Sequence, residues 1–271
     1  MPTGVINGVR LYYERHGDSG EPLVFVHGYT GDITDWRLQI AEFSPAYRVL
    51  VMDLRGHGRS EAPSDRSSYD VPLMSIDVEE LIDNAGFARY HLVGHSMGGA
   101  IAQEIALRSR PKLFSLTLVD TTSKFDLPAN DVAFQYRAQR LLVARSEGMA
   151  AAAALPPPFV PPHMPPERQK ETDERLARMS LDAFVGAARA LVAWEGTTER
   201  ARLIQAPTLI IYGDLDAPAL IEGSRRLAAL IPKASVEVIP EAAHSPQWER
   251  PQLFNRALRR HLEANRAPGE S

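Results

Sequence analysis

Apolar runs rich in Val, Leu and Ile recur along the chain, and longer stretches with apolar residues at helical spacing separate them. The runs are PLVFVHG (22–28), YRVLVMDL (47–54), YHLVGHS (90–96), LFSLTLVDT (113–121), PTLIIYGD (207–214) and SVEVIPEA (235–242). Most are apolar nearly throughout, which is the pattern of a strand covered by helices on both faces. Residues 34–43, 71–86, 98–109, 218–230 and 248–264 read as helices. This alternation predicts an α/β fold, a mostly parallel sheet flanked by helices. Near the N-terminus, GVRLYYERHG (8–17) alternates more strictly and is expected to open the sheet as an antiparallel hairpin with its neighbour.

One interval breaks the rhythm. Residues 123–200 are helical in pattern and alanine-rich, interrupted by LPPPFVPPHMPPER, whose prolines cannot sit inside a helix. Nothing in it reads as a buried parallel strand. The expected organisation is a core of residues 1–122 and 201–271 with a helical cap or lid, 123–200, inserted between them. Insertions of this length are more often lids or binding elements than decoration, the alternative being a loose helical appendage. The tail ANRAPGES is expected to be disordered.

Composition narrows the partners. A chain of 271 residues, 44% hydrophobic, can bury one large core. Its net charge of -4 leaves no basic face for nucleic acid. No apolar run approaches the roughly 18 residues of a membrane span. The N-terminus does not join a charged start to an apolar block, so no secretory signal is expected. There is no cysteine, hence no disulfide framework and no thiolate chemistry, which fits a cytoplasmic protein.

The chemistry begins at GHSMG (94–98), a G-x-S-x-G pattern at the end of a predicted strand and the start of a predicted helix. Gly94 and Gly98 let strand and helix approach closely, with Ser96 at the apex of a strained turn and the amides of the following helix favouring negative charge. The alternative is a glycine-rich turn with a capping serine. Just past another strand, His27, Gly28 and Tyr29 occupy the position of a second anion donor, so the backbone amides of Tyr29 and Met97 are the candidate oxyanion hole. No H-E-x-x-H and no dinucleotide glycine spacing appears, so neither a metal nor a cofactor is expected.

These residues, with VLVMDLRGHGRS, PTLIIYGDLD and EAAHSPQWERP, make the chain resemble the α/β-hydrolase fold superfamily, more closely its lid-bearing serine esterase and lactonase-like members. The resemblance covers nearly the whole chain. It implies the order serine, acid, histidine. The family's G-x-x-D pattern falls on Gly213 and Asp216, and His244 lies in the loop after the last strand. The catalytic candidates are therefore Ser96, Asp216 and His244. Asp214 is the neighbouring alternative acid, more in keeping with a turn or helix cap. Asp120 stands where some members of the superfamily carry theirs. Asp53 and Arg55 match a scaffold turn in the family, and His57 and His163 are left as pocket candidates. His16, His91 and His261 read as peripheral.

A histidine with an ordinary pKa of about 6.5 can accept the serine proton while the acid holds its tautomer. The expected function is thus a cofactor-free carboxylesterase acting through an acyl-enzyme on a small hydrophobic ester. Lactonase, carbon-carbon bond hydrolase and perhydrolase chemistry stay open, as does a non-enzymatic small-ligand receptor. Epoxide hydrolase and haloalkane dehalogenase chemistry is disfavoured, because those relatives carry an aspartate where Ser96 stands. Phe125, Phe159 and Trp194 are the expected substrate-binding residues. Leu127, Phe134, Tyr136, Met164 and Phe184 are further candidates for the pocket lining.

Overall fold

A computed structural model describes residues 3–266. The chain opens with β1 (Thr3–Ile6) and β2 (Val9–His16), joined by Asn7-Gly8 with φ of 46° and 76°, the left-handed pair of a two-residue hairpin turn. Then follow β3 (Pro22–Val26), α1 (Arg37–Phe43), β4 (Arg48–Met52), α2 (Val71–Asn84), β5 (Tyr90–His95), α3 (Met97–Arg108) and β6 (Leu113–Val119). Four helices come next: α4 (Val132–Ser146), α5 (Met149–Ala153), α6 (Pro166–Arg178) and α7 (Leu181–Ala193). The chain returns to the sheet with β7 (Thr208–Gly213), α8 (Pro218–Leu230) and β8 (Ala234–Ile239), and ends with α9 (Pro246–Glu249) and α10 (Pro251–Ala264).

The eight strands form one sheet in the order β1-β2-β4-β3-β5-β6-β7-β8, antiparallel at β1/β2 and β2/β4 and parallel elsewhere. Side chains of the apolar runs alternate between two cores. Val24, Val26, Leu50, Met52, Leu118 and Ile210 pack on the side of α2 and α3. Leu23, Phe25, Val49, Val51, Val119 and Ile211 pack on the side of α10. Each strand fills both layers, which is why its period of two is invisible in the sequence. The edge strand β8 is the exception, with Val236 and Val238 exposed.

The strands stop short of the runs that predict them, because the final residues of most runs leave the ladder as the sheet's carboxyl edge. The helix predicted over 248–264 is divided at Pro251, whose ring cannot continue the turn before it. Ala264, placed by the sequence in a disordered tail, closes α10, and residues 267–271 lie outside the described residues. His91 is not peripheral. It is buried on β5, bonded to Ser115 at 2.8 Å and Glu21 at 3.2 Å.

Strand order reverses at β3, which has β4 on one side and β5 on the other, so a crevice opens beyond the carboxyl ends of β3 and β5. Helix α6 is tied to the segment that leaves β3. Arg168 bonds Asp35, while Arg175 reaches Asp35 at 2.9 Å, Asp32 at 3.0 Å and the Thr30 carbonyl at 2.8 Å. Burial pushes the Asp35 pKa up, but the charges of Arg175 and Arg168 more than offset it and hold this carboxyl well below the usual range. Its contribution to stability is therefore complete above the unfolded-state pKa and lost only as pH falls through the lower folded value.

Replacing Asp35 by Ala removes the buried carboxylate that Arg168 and Arg175 share, leaving Arg175 with Asp32 and Arg168 with the longer Glu171 contact. The expected loss is about 3–5 kcal/mol of unfolding free energy at neutral pH, measured by urea denaturation. A loss below about 1 kcal/mol would mean that the network is hydrated and marginal.

Candidate active site

Ser96 follows directly on β5 and precedes α3, with φ 52° and ψ -113°, a conformation that a side chain rarely adopts. Its backbone is held at both ends. The amide donates to Val119 O at 2.8 Å, and the carbonyl accepts from Gly99 N at 2.9 Å and Thr121 Oγ1 at 2.8 Å. The flanking glycines are sterically required. A Cβ on Gly94 would strike the Gly98 carbonyl, and a Cβ on Gly98 would strike that of Val26 and lie 2.6 Å from that of His27. Helix α3 thus starts against β3 and β5, and Met97 becomes its first residue. Its N-H is one of the first-turn donors that no helical carbonyl can reach.

Across the switch point, the segment after β3 carries Tyr29 beside Thr30, whose φ of 62° is unusual for a β-branched residue. The Arg175 bond to the Thr30 carbonyl holds that turn. The Tyr29 hydroxyl donates to Phe184 O at 3.0 Å, and the two rings stack with centroids 5.4 Å apart. No protein acceptor takes the Tyr29 or Met97 amide among the described residues.

His244, in the loop after β8, joins the strand ends. Its Nε2 lies 3.1 Å from Ser96 Oγ and its Nδ1 2.9 Å from Asp216 Oδ2. The other Asp216 oxygen accepts from Ala217 N at 2.7 Å. Partial burial disfavours the imidazolium, but the charge and hydrogen bond of Asp216 together outweigh it and raise the His244 pKa above its ordinary value. The loop is pinned on each side of the ring. Glu249 accepts from the Ala243 amide at 2.6 Å and the Ser245 amide at 2.9 Å, and His95 Nε2 donates to the His244 carbonyl at 2.7 Å. Burial lowers the His95 pKa to about 4, so at neutral pH this second histidine adds no charge.

Asp120 and Asp214, the alternative acids, have other partners. Asp214 is exposed and accepts from the Glu241 amide at 2.7 Å, a turn contact. Asp120 is fully buried with φ 42°, and its Oδ1 accepts from Gly213 N at 3.0 Å. Burial, then the charge of Asp216, raise its pKa well above the usual value. Asp120, Asp216 and His244 are also the residues whose spacing, among those described, would suit a metal ion, with ligand atoms within 4.8 Å of one another. A cation there would compete with Asp216 for His244 Nδ1.

A cavity of about 410 Å³ opens over Ser96. Tyr29, Asp216 and His244 line it from the strand ends, and Tyr136, Arg137, Phe159, Met164 and Phe184 line it from the 123–200 interval. Phe125 and Trp194, expected to bind substrate, do not reach it. They pack against each other with centroids 6.2 Å apart, and the Trp194 indole donates to buried Glu104 at 2.9 Å. Leu127 and Phe134 line a separate apolar groove between α4 and α7. His57 borders a second, polar cavity, and His163 is bonded to Glu241 at 3.1 Å on the surface. Asp53 and Arg55 are structural: Asp53 accepts the Ile33 and Arg59 amides, each at 2.8 Å, and Arg55 pairs with buried Asp77 at 2.6 Å. Sequence reasoning missed Glu249 and Arg137. A buried carboxylate five residues past the loop histidine, ahead of a proline, was the available signal for Glu249. Arg137 has none beyond its place in the inserted interval.

The strand reversal, the serine at its edge and the imidazole between serine and carboxylate define a hydrolase architecture. A family model for the alpha/beta hydrolase fold matches residues 21–251, and the chain belongs to that family. The chain is similar to the enol-lactonase from Burkholderia xenovorans LB400, with a TM-score of 0.85 and 27% identity over 97% of this chain and 100% of that one. It is similar also to a thermophilic esterase from Thermogutta terrifontis, with a TM-score of 0.84 and 27% identity, covering 98% of this chain and 99% of that one. Among curated proteins it is 28% identical to epoxide hydrolase 3 of Xenopus tropicalis over 95% of this chain and 76% of that protein. It spans 65% and 67% of the length of two further curated relatives, so the activities of the longer proteins do not transfer whole. Among the described residues, no helix is long and apolar enough to cross a membrane.

The electrostatics can be tested without substrate. An NMR titration of the His244 imidazole should give a pKa above the ordinary value of about 6.5, falling in Asp216→Asn, which removes the charge but keeps the shape. An unchanged His244 pKa in that variant would mean that Asp216 does not set it.

Proposed function

We propose that this chain is a serine hydrolase of small carboxylic esters, working through an acyl-enzyme. The observation that carries the reading is the single imidazole placed 3.1 Å from Ser96 Oγ and 2.9 Å from Asp216 Oδ2. Ser96 Oγ attacks the ester carbonyl carbon as its proton passes to His244 Nε2. The tetrahedral oxyanion lies against the Tyr29 and Met97 amides. Collapse breaks the bond to the alcohol oxygen, which takes the proton from His244. Water then attacks the acyl carbon, gives its proton to the same nitrogen, and Ser96 leaves with that proton as the acid is released. Asp216 holds Nδ1-H and stabilises the imidazolium.

Residues 123–200 act in this reading as the cap, over a core of 1–122 and 201–271, because they supply one wall of the cavity at Ser96. The similarity to an esterase and an enol-lactonase supports ester chemistry and gives a lactone as the second substrate class. The mechanism is the same, the alcohol staying attached to the product. The likeness to epoxide hydrolase 3 is taken as one of fold, since this chain has Ser96 where the family resemblance puts an aspartate in such enzymes.

Ser96→Ala is expected to abolish turnover of a short p-nitrophenyl ester and labelling by a fluorophosphonate, with unfolding unchanged. A folded Ser96→Ala protein keeping a tenth of the activity would overturn the mechanism. Asp216→Asn should lower kcat by up to about 10⁴, as expected when the histidine loses its orienting acid. Asp120→Asn, at a carboxyl whose pKa burial and the Asp216 charge already raise, should lose less than about tenfold. Ester cleavage should fall as pH drops below the raised His244 pKa, since only the neutral imidazole accepts the serine proton.

A further inference from the structure

Helix α4 turns two arginines toward the cavity, and their surroundings differ. Arg140 Nε donates to the Ala152 carbonyl at 3.2 Å, the group lies 4.9 Å over the Tyr136 ring, and Asp173 is 3.9 Å away. Arg137, one turn earlier and half-buried, has no hydrogen bond and no ion pair among the described residues. Its guanidinium carbon lies 5.8 Å from the face of the Tyr29 ring. The acids that line the same cavity are already engaged, Asp216 with His244 and Ala217 and Glu249 with the Ala243 and Ser245 amides. Asp131, at the start of α4, is taken up by the Ala133 and Phe134 amides.

A guanidinium taken partly out of water without an acceptor is costly, and its burial here pulls its pKa below the usual arginine range. Arginine at such a place is matched in shape and charge by a carboxylate, which it can bind through two parallel N-H donors. The positive charge is near enough to His244 to oppose protonation of that ring, so the group faces the same space as the reacting atoms. Around it the wall is aromatic and aliphatic, with Tyr29, Phe159, Met164 and Phe184, which suits a short carbon chain.

The geometry points to a substrate that is itself an anion: an ester or lactone with a second, free carboxylate, bound by Arg137 while its acyl carbon lies at Ser96. This rests on the ester-hydrolase reading of the site and names the substrate class within it. Arg137 is then a specificity-determining residue. It takes no part in bond making.

The test uses methyl monoesters of succinate, glutarate and adipate against the methyl esters of the corresponding monoamides, equal in size and uncharged. The wild type should favour at least one charged ester by about 10- to 100-fold in kcat/KM, the size of one charge-assisted contact. Arg137→Gln should bring that ratio close to one, and Arg137→Lys should restore part of it. The pH profile gives a readout that a structural role would not move. A bound carboxylate neutralises Arg137 and lets His244 protonate more easily, so the acid limb of kcat should lie at higher pH for the charged ester than for its amide.

Equal rates for acids and amides in the wild type would overturn the inference and leave the ester-hydrolase reading standing. So would an equal loss on both in Arg137→Gln, which would put the guanidinium at the common reacting centre or in the fold. If neither series is cleaved, the hydrolase reading fails first, and calorimetric titration with glutarate and adipate decides the anion site by itself. Binding to the wild type that is lost in folded Arg137→Gln upholds the site. No binding to either protein refutes it.

Discussion

The close approach of α3 to β3 and β5 is the constraint on which the rest of the site depends. Gly94 and Gly98 leave no room for a Cβ, so the helix starts where backbone meets backbone, and Ser96 is forced to φ 52°. A residue in such a region costs of order 1–3 kcal/mol and persists only where its surroundings over-determine it. Here the Ser96 amide bonds to β6 and its carbonyl is capped by Gly99 and Thr121. The cost is offset by contacts to β6, to the segment that follows it and to the first turn of α3. The same geometry brings the Met97 amide to the mouth of the crevice made by the strand reversal at β3. Among the described residues five non-glycines have positive φ, and four of them, Thr30, Ser96, Asp120 and Glu241, follow β3, β5, β6 and β8. Strain is concentrated along the edge where the strands deliver their polar side chains.

Electrostatics at that edge treats its titratable groups differently. Asp120 and Asp216 are close, and two ionised carboxyls there would repel; burial and that neighbouring charge raise the Asp120 pKa well above its usual value, while Asp216 turns one oxygen to His244. His95 and His57 are kept neutral by burial, at about 4 and about 3. His244 is the histidine of the site whose pKa is raised, and its loop is fastened by Glu249 and His95 through backbone atoms, which leaves both ring nitrogens free for Ser96 and Asp216. Loop position, ring tautomer and charge state are thus fixed by separate groups.

The sequence carried the sheet and the three strand ends with Ser96, Asp216 and His244, because apolar runs and turn glycines are local signals. Strand order was not legible in the runs alone, since each fills two cores and shows no alternation. His91 shows the limit of reading a polar residue as peripheral: its ring is satisfied by Ser115 and Glu21 far away in sequence, and only the folded sheet brings them together. Glu249 was missed for a related reason. Its function is to accept backbone amides, and backbone acceptors leave no pattern of residue types.

Of the expected pocket lining, Phe159, Tyr136, Met164 and Phe184 reach the cavity, and Phe125 and Trp194 do not. Phe125 and Trp194 are aromatic, as Phe159 is, yet they fill the interior, where the Trp194 indole even finds a buried acceptor in Glu104. Burying an aromatic ring is favourable almost anywhere it can pack, so aromatic character in an inserted helix says little about which side of it faces a ligand. An arginine is different. Removing it from water is unfavourable everywhere unless an acceptor meets it, and most of the buried or half-buried arginines here have one: Arg55 has Asp77, Arg168 and Arg175 have Asp35, and Arg66 has Asp182. Against that background an unpaired guanidinium beside the reacting atoms is the more informative residue, because the protein alone gives no reason to keep it there.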